Sequence, residues 1–293
     1  MSLPQYGGDS LKIGFIGAGR VGFSLGKYFS TKGINVSGYY SKNYNSAKEA
    51  SIFTSSTAYK TLKDIVLKSN ILFITTPDDQ IEKIWDDIKH FDLKDKLIIH
   101  TSGSLSSNVF SDIKNKGAFG YSIHPMFPFS DKYNSYKQLN NIYFSIEGDK
   151  KYANDLKLFL EDLGNNVFFI DSNKKSSYHL ASVMVSNLVL ALISIGENYL
   201  INCGVDEDIA LKSLYPLIFE NIKNIGDKGI LDSITGPVLR GDVGTIKKHM
   251  TVLKKEDFEV YKTLSMQLLN LSVKKKAEKN YDNVRRTLNE KNF

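Results

Sequence analysis

"KIGFIGAGRVGFSLG" runs from Lys12 to Gly26 and places Gly17, Gly19 and Gly22 in the spacing G-x-G-x-x-G behind a short apolar run. The run "LKIGFIG" reads as a strand, Val21 to Lys32 as a helix, and "INVSGYY" (34–40) as a second strand. Together they make a βαβ unit of about 30 residues, the setting a dinucleotide fingerprint requires. Gly17 permits the tight turn, Gly19 lets the backbone approach a pyrophosphate, and Gly22 lets the helix pack closely on the strand. Ala18, Arg20 and Val21 fill the turn, whose N–H groups face the phosphates at the positive end of the helix. The competing reading is a plain strand-to-helix turn, and the flanking pattern is against it.

The end of the second strand selects the dinucleotide. A carboxylate about 20 residues after the glycines holds the ribose 2′-OH of NAD. Here that region is "YYSKN", without a carboxylate. Ser41 and Lys42, with Arg20, suit a 2′-phosphate instead, so NADP(H) is the expected cofactor. The alternative for Lys42 is an ordinary solvated lysine.

Working outward, strand-like and helical runs alternate as far as Asp171. "ILFIT", "KLIIHTS", "AFGYSIHP", "NIYFSIEG" and "NVFFID" read as strands, and "DDQIEKIWDDIKHF" spaces Ile81, Ile84, Trp85 and Ile88 at helical period. Such alternation predicts α/β architecture, a Rossmann-type mostly parallel sheet covered on both faces. After Asp171 no strand is legible. Long helical patterns occupy Lys174 to Cys203, roughly Asp206 to Ile225, and Lys255 onward. We therefore expect a dinucleotide-binding domain over 11–171 and an all-helical second domain over 172–293, with a polar, fraying tail.

The chain has 293 residues, 42% of them hydrophobic and 24% charged, a soluble globular balance. The net charge of +6 is spread along the chain, which excludes a nucleic-acid stripe and suits a small anionic substrate. Cys203 is the only cysteine, so an internal disulfide and a cysteine-based zinc site are excluded. "MSLPQYGGDS" reads as a loose leader rather than a signal peptide. The apolar stretch Ala181 to Gly196 is broken by Ser182, Ser186 and Asn187 and reads as a buried helix rather than a membrane span. The default location is the cytoplasm.

Three strand ends can line a site. "TTPDDQI" sets Thr75, Thr76 and Pro77 at a carboxyl end, where open α/β sheets bind ligands; Asp78 or Asp79 can cap the next helix. "HTSGSLSS" sets Ser102 and Gly103 beside the expected nicotinamide position. "SIHPMFPF" sets His124 near the cleft, with a structural role as the leading reading. Further on, "KKSSYHLASVMVSNLVLAL" on one helix gathers Lys175, His179, Ser182 and Ser186 into a polar stripe roughly 60° wide, with Asn187 at its edge. A buried polar stripe needs partners, which a polar ligand can supply. The alternative is a first turn left in water with the serines bonded back along their own helix. "TGPVLRGDVGTIKKH" reads as a fixed loop in which Arg240 and Asp242 pair, either a structural corner or a cleft lining.

"GFIGAGRVG", "TTPDDQI", "HTSGSLSS", "HPMFPF", "KKSSYHLASVMVSN" and "TGPVLRGDVGT" together resemble the two-domain proteins with a Rossmann-like domain followed by a DUF2520-type helical domain. These are relatives of the 6-phosphogluconate dehydrogenase-like group. The likeness covers most of the chain, and the Tyr178–His179 and Thr235–Asp242 stretches are its specific parts. It implies a nicotinamide oxidoreductase, a homodimer through the helical domain, and an active site between the domains. Some members are alternative ketopantoate reductases; other relatives are described as pyrroline-5-carboxylate reductase-like. Ordinary ketopantoate reductases and β-hydroxyacid dehydrogenases set a catalytic lysine and an asparagine one turn apart on the corresponding helix. Lys175 matches the lysine, and His179 stands where the asparagine would be. The expectation is NADPH-dependent reduction of a small 2-oxo acid, ketopantoate first. Lys175 or His179 gives the proton, and Ser186 and Asn187 help to position the substrate. A pyrroline-5-carboxylate-type imine reductase and a non-catalytic NADP sensor are the rivals.

Overall fold

The computed structural model describes residues 11–290; the expected N-terminal leader lies outside them. The chain forms two compact units, divided after Asn187. The first contains β1 (Ile13–Ile16), α1 (Arg20–Thr31), β2 (Val36–Tyr40), α2 (Tyr44–Thr54), β3 (Thr57–Ala58), α3 (Leu62–Lys68), β4 (Ile71–Ile74) and α4 (Asp78–Ile88). It continues with β5 (Leu97–His100), β6 (Phe119–Pro125), β7 (Tyr143–Gly148), α5 (Ala153–Asp162), β8 (Asn166–Phe169) and α6 (Lys175–Val185). Thus α6 groups with the sheet, and the division falls later in the chain than the expected break at Asp171.

The eight strands run in the order β3-β2-β1-β4-β5-β6-β7-β8. All neighbours are parallel except β6 and β7. The order reverses between β1 and β4, which places a topological switch point, and hence a ligand crevice, at their carboxyl ends. Successive strand residues point to opposite faces, and both faces are covered. One core holds Phe15, Phe23, Phe29, Tyr39, Phe73 and Tyr121. The other holds Ile16, Leu72, Ile74, Trp85, Ile98 and Phe110. Burial on both faces is why β1, β4 and β5 read as unbroken apolar runs rather than alternating ones.

The second unit is helical: α7 (Asn187–Asn202), α8 (Glu207–Ser233), α9 (Gly236–Arg240), α10 (Val243–Val252), α11 (Phe258–Lys275) and α12 (Asp282–Asn289). Several expectations are corrected here. The single helix expected from Lys174 to Cys203 is interrupted by a turn at Ser186, whose φ and ψ of −116° and −77° depart from ideal helix values. By length and composition alone the helical stretch from Ser172 to Asn202 is long and apolar enough to cross a membrane, a test that the core helix of a soluble protein also passes. Its apolar part is not buried within the chain: α7 has no buried residue. The expected loop over Thr235–His249 is mostly helix, with Gly241 as its left-handed corner at φ 71°. Asp242 does not pair with Arg240; its carboxylate accepts from the Thr245 amide and hydroxyl and caps α10.

Among the described residues the tail is packed rather than frayed. Its α12 buries Val284 and Leu288 against Val238, Ile246, Met250, Phe258 and Leu269, and Tyr281 Oη donates to Leu239 O at 2.8 Å. Leu288→Ala is accordingly expected to cost about 2–4 kcal/mol, the usual range for emptying a packed leucine site. Denaturant unfolding would show it, and a change below about 0.5 kcal/mol would mean that α12 is not part of this core.

Candidate active site

The glycine turn has the form a pyrophosphate requires. Gly17 has φ of 111°, which a side chain would strain, and Thr75 Oγ1 donates to its carbonyl at 2.9 Å. A Cβ on Gly22 would lie 2.3 Å from Thr75 Oγ1 and 2.6 Å from Gly17 O, so Gly22 allows α1 and the turn to close on β4. A Cβ on Gly19 would meet nothing within 4 Å. The space above Gly19 is therefore open although its backbone (φ −76°) suits any residue. Gly19 caps α1 without a side-chain bond, and the first turn carries no acidic residue. The leading amides of α1 thus remain available to an anion. Thr76 Oγ1, one residue beyond Thr75, is buried with no partner among the described residues, a polar atom that a ligand can satisfy. These residues fit a dinucleotide diphosphate.

Gly17 N donates to Tyr40 O at 2.8 Å, which ties the turn to the end of β2. Ser41, half-buried, and Lys42, exposed, follow directly, and Arg20 is exposed at the start of α1. Ala18 is buried, Val21 is half-buried, and Pro77 precedes α4.

A second group of side chains surrounds the end of β5. Lys175, at the start of α6, is 2% exposed. Its Nζ donates to Ser122 Oγ at 2.7 Å and to Ser102 O at 3.1 Å, and Ser122 Oγ donates to the same carbonyl at 3.1 Å. Burial lowers the Lys175 pKa to about 8, opposed by the charges of Glu147 and Asp78. The ammonium is mostly charged at neutral pH yet can release a proton close to it. Asp78 does not cap α4, whose N-cap is Pro77 without a side-chain bond; instead Ser102 and Ser104 both donate to its Oδ2 at 2.7 Å, which fixes the turn around Gly103.

Gly103 is the floor of this group. A Cβ there would lie 2.9 Å from His179 Cδ2 and 3.0 Å from His124 Nε2. His124 Nδ1 pairs with the Tyr178 hydroxyl at 2.6 Å. Burial, with the nearby charges of Lys175 and His179, lowers the His124 pKa to about 4. His100 lies fully buried, its ring facing Phe110, and accepts from Ser102 N at 3.2 Å; burial lowers its pKa to about 4 as well.

The structure thus brings together Lys175, His179, His124, Ser102 and Gly103. It does not bring the rest of the stripe to them. Ser186 Oγ donates to Ser182 O at 2.7 Å and to Asn187 Oδ1 at 3.0 Å, and Ser182 Oγ is 3.5 Å from Tyr178 O. These residues follow the alternative reading and bond along their own helix, with Ser186 and Asn187 exposed. From sequence Asp78 has only a capping role, and neither Ser122 nor Glu147 stands out. The period-2 rule contained the signal, because Ser122 and His124 share one face of β6 and stand opposite Glu147 and Ser145 of β7.

Two histidines held neutral make the fold acid-sensitive. Their folded pKa values lie below the unfolded 6.5, so between pH 6.5 and 4 the unfolded chain binds protons that the native one refuses. Stability is full above about pH 7 and is expected to fall by a few kcal/mol as pH drops toward 4. Urea midpoints at pH 7, 5.5 and 4.5 measure this. His100→Phe should flatten the fall, and an unchanged slope would remove His100 from the account.

Comparison with known proteins follows this geometry. A "Rossmann-like domain" pattern matches residues 5–125, and the "Domain of unknown function (DUF2520)" pattern matches residues 142–268. The chain is a two-domain protein of the Rossmann-like and DUF2520 type. No curated protein matches the sequence. Among solved structures, a Thermotoga maritima protein is 25% identical with a TM-score of 0.72, covering 90% of this chain and 99% of its own. A candidate NADP oxidoreductase from Bacteroides fragilis is 24% identical with a TM-score of 0.70, covering 89% and 98%. A 1-pyrroline-5-carboxylate reductase from Streptococcus pyogenes is 15% identical with a TM-score of 0.64, covering 92% and 99%, and shares the fold.

Proposed function

We propose that this Rossmann-like and DUF2520 protein is an NADPH-dependent reductase of a small anionic substrate with a C=O or C=N bond. One observation carries the reading: a buried lysine ammonium and two imidazoles converge on Gly103, at the same carboxyl end of the parallel strands as the open glycine turn. Bound NADPH would supply a hydride. Gly17, Gly19 and Gly22, with Ala18, Arg20 and Val21, would hold its diphosphate. Thr75, Thr76 and Pro77 would floor the site, and Ser41, Lys42 and Arg20 would take the 2′-phosphate. Lys175 stabilises the negative charge that develops on the accepting atom, and Lys175 or His179 delivers the proton. Ser102 and Gly103 place the substrate.

The leading substrate is a 2-oxo acid, ketopantoate first, on the family resemblance and the lysine on α6. A cyclic imine such as pyrroline-5-carboxylate is the second reading, favoured by fold neighbours named as pyrroline-5-carboxylate and imine reductases. The test is NADPH absorbance with ketopantoate, pyrroline-5-carboxylate and other small oxo acids, with NADH in parallel. Turnover of a keto acid with NADPH supports the first reading, and turnover of the imine alone supports the second. NADPH binding without oxidation by any of them returns the protein to a sensor.

The active species is proposed to be a homodimer. Leu190 (67% exposed), Tyr215, Leu217 (63%) and Ile222 leave α7 and α8 with apolar faces uncovered, more than a monomer ordinarily shows to water. Light scattering should give twice the 33.0 kDa chain mass, and Leu217→Glu should return it to the single-chain mass. A wild-type chain that is monomeric at micromolar concentration would end this part of the proposal.

A further inference from the structure

We propose that His124 is a fixed, neutral hydrogen-bond donor to the reducible group, its Nε2–H tautomer set by the Tyr178 hydroxyl. The role deepens the reductase reading and rests on it. The Tyr178 phenol is half-buried; its oxygen pairs with His124 Nδ1 at 2.6 Å, and the Ser145 hydroxyl stands beside the same oxygen. At 2.6 Å, Nδ1 is close enough to accept the phenol proton, and a hydroxyl beside a ring nitrogen of a neutral imidazole donates to the unprotonated one. Donation by Tyr178 leaves Nδ1 as acceptor and puts the ring proton on Nε2. The two rings meet edge to face at 5.6 Å, and Tyr178 in turn sets its edge against Phe168 at 6.0 Å, which holds the pair in place.

Nε2 packs against Gly103. It lies 3.0 Å from the point where a Cβ would stand, and His179 Cδ2 lies 2.9 Å from the same point. Only the absence of a side chain at Gly103 keeps that position free between the two imidazoles. The groups around His124 keep it uncharged: Lys175 and His179 oppose a second proton, as does burial, and Asp78 favours one only weakly. A neutral imidazole polarises a carbonyl or imine without losing its own proton, so it aids charge development in the transition state.

The test joins spectroscopy with kinetics. Nitrogen-15 NMR of the histidines, with His124 assigned by its loss in His124→Gln, should show a neutral Nε2–H ring from pH 8 down to about 5.5. Tyr178→Phe should convert it to a mixture of tautomers. With the substrate that wild type reduces, His124→Leu should lower kcat about 100-fold or more, with NADPH affinity unchanged within about threefold. His124→Gln, which keeps a side-chain donor, should recover at least a tenth of wild-type kcat. A wild-type Nδ1–H or doubly protonated ring at pH 7 overturns the proposal, as does full turnover in His124→Leu. If wild type reduces no substrate at all, the reductase reading fails and takes this role with it. An active wild type with an active leucine variant sinks this role alone.

Discussion

Lys175→Met is expected to lower kcat about 1,000-fold while NADPH affinity stays within about threefold. The asymmetry follows from where the ammonium lies. Its two bonds go to Ser102 O and Ser122 Oγ around the end of β5, and none goes to the glycine turn. Methionine fills the channel of the lysine stem and removes a charge that burial disfavours. The variant should therefore melt no lower than wild type, and Ser122 still donates to Ser102 O. The pH profile adds a second reading. With a pKa of about 8, Lys175 should impose a decline of turnover above that pH, and the decline should vanish in the variant. A kcat within fivefold of wild type would remove Lys175 from the chemistry. Equal losses in kcat and NADPH affinity would make it a cofactor support.

Gly19→Ala and Gly22→Ala are expected to fail in different ways. At Gly19 an added Cβ touches nothing and the backbone is ordinary, so the apo protein should melt within about 2 °C of wild type. NADPH binding should nevertheless weaken tenfold or more, because the methyl occupies the approach to the diphosphate. At Gly22 the methyl collides with Thr75 Oγ1 and Gly17 O, so stability should fall by about 1–3 kcal/mol before any cofactor is added. Calorimetric titration and thermal melts separate the two. A Gly19→Ala protein that binds NADPH normally would show that the open space is not the diphosphate site.

The parallel half of the sheet was legible because burial on both faces leaves an unmistakable trace. "IGFI", "ILFI" and "LIIH" are continuous apolar runs closed by glycine, threonine-proline or serine-glycine turns. The antiparallel pairing of β6 and β7 left no such trace, since strand direction depends on the path of the connecting segment. At the site, the turn glycines, Lys175 and His179 followed from spacing alone. Ser122 did not, because one serine in a strand is indistinguishable from many others until its neighbour across the sheet is known. The stripe on α6 was half right. Helical geometry gives the angular position of Ser182 and Ser186 but not the break at Ser186, which needs no proline or glycine. The exposure of α7 was illegible for a different reason: hydrophobicity records that a surface is covered, and not which molecule covers it.

The carboxylate of Asp78 has one more implication. It stands two residues after Thr76 and holds both Ser102 and Ser104. The loop that would feel a nucleotide arrive and the loop that carries Gly103 are therefore braced by a single side chain. A nucleotide that loaded the first would be felt by the second, so coenzyme-first binding is the expected kinetic order, which product-inhibition patterns would check.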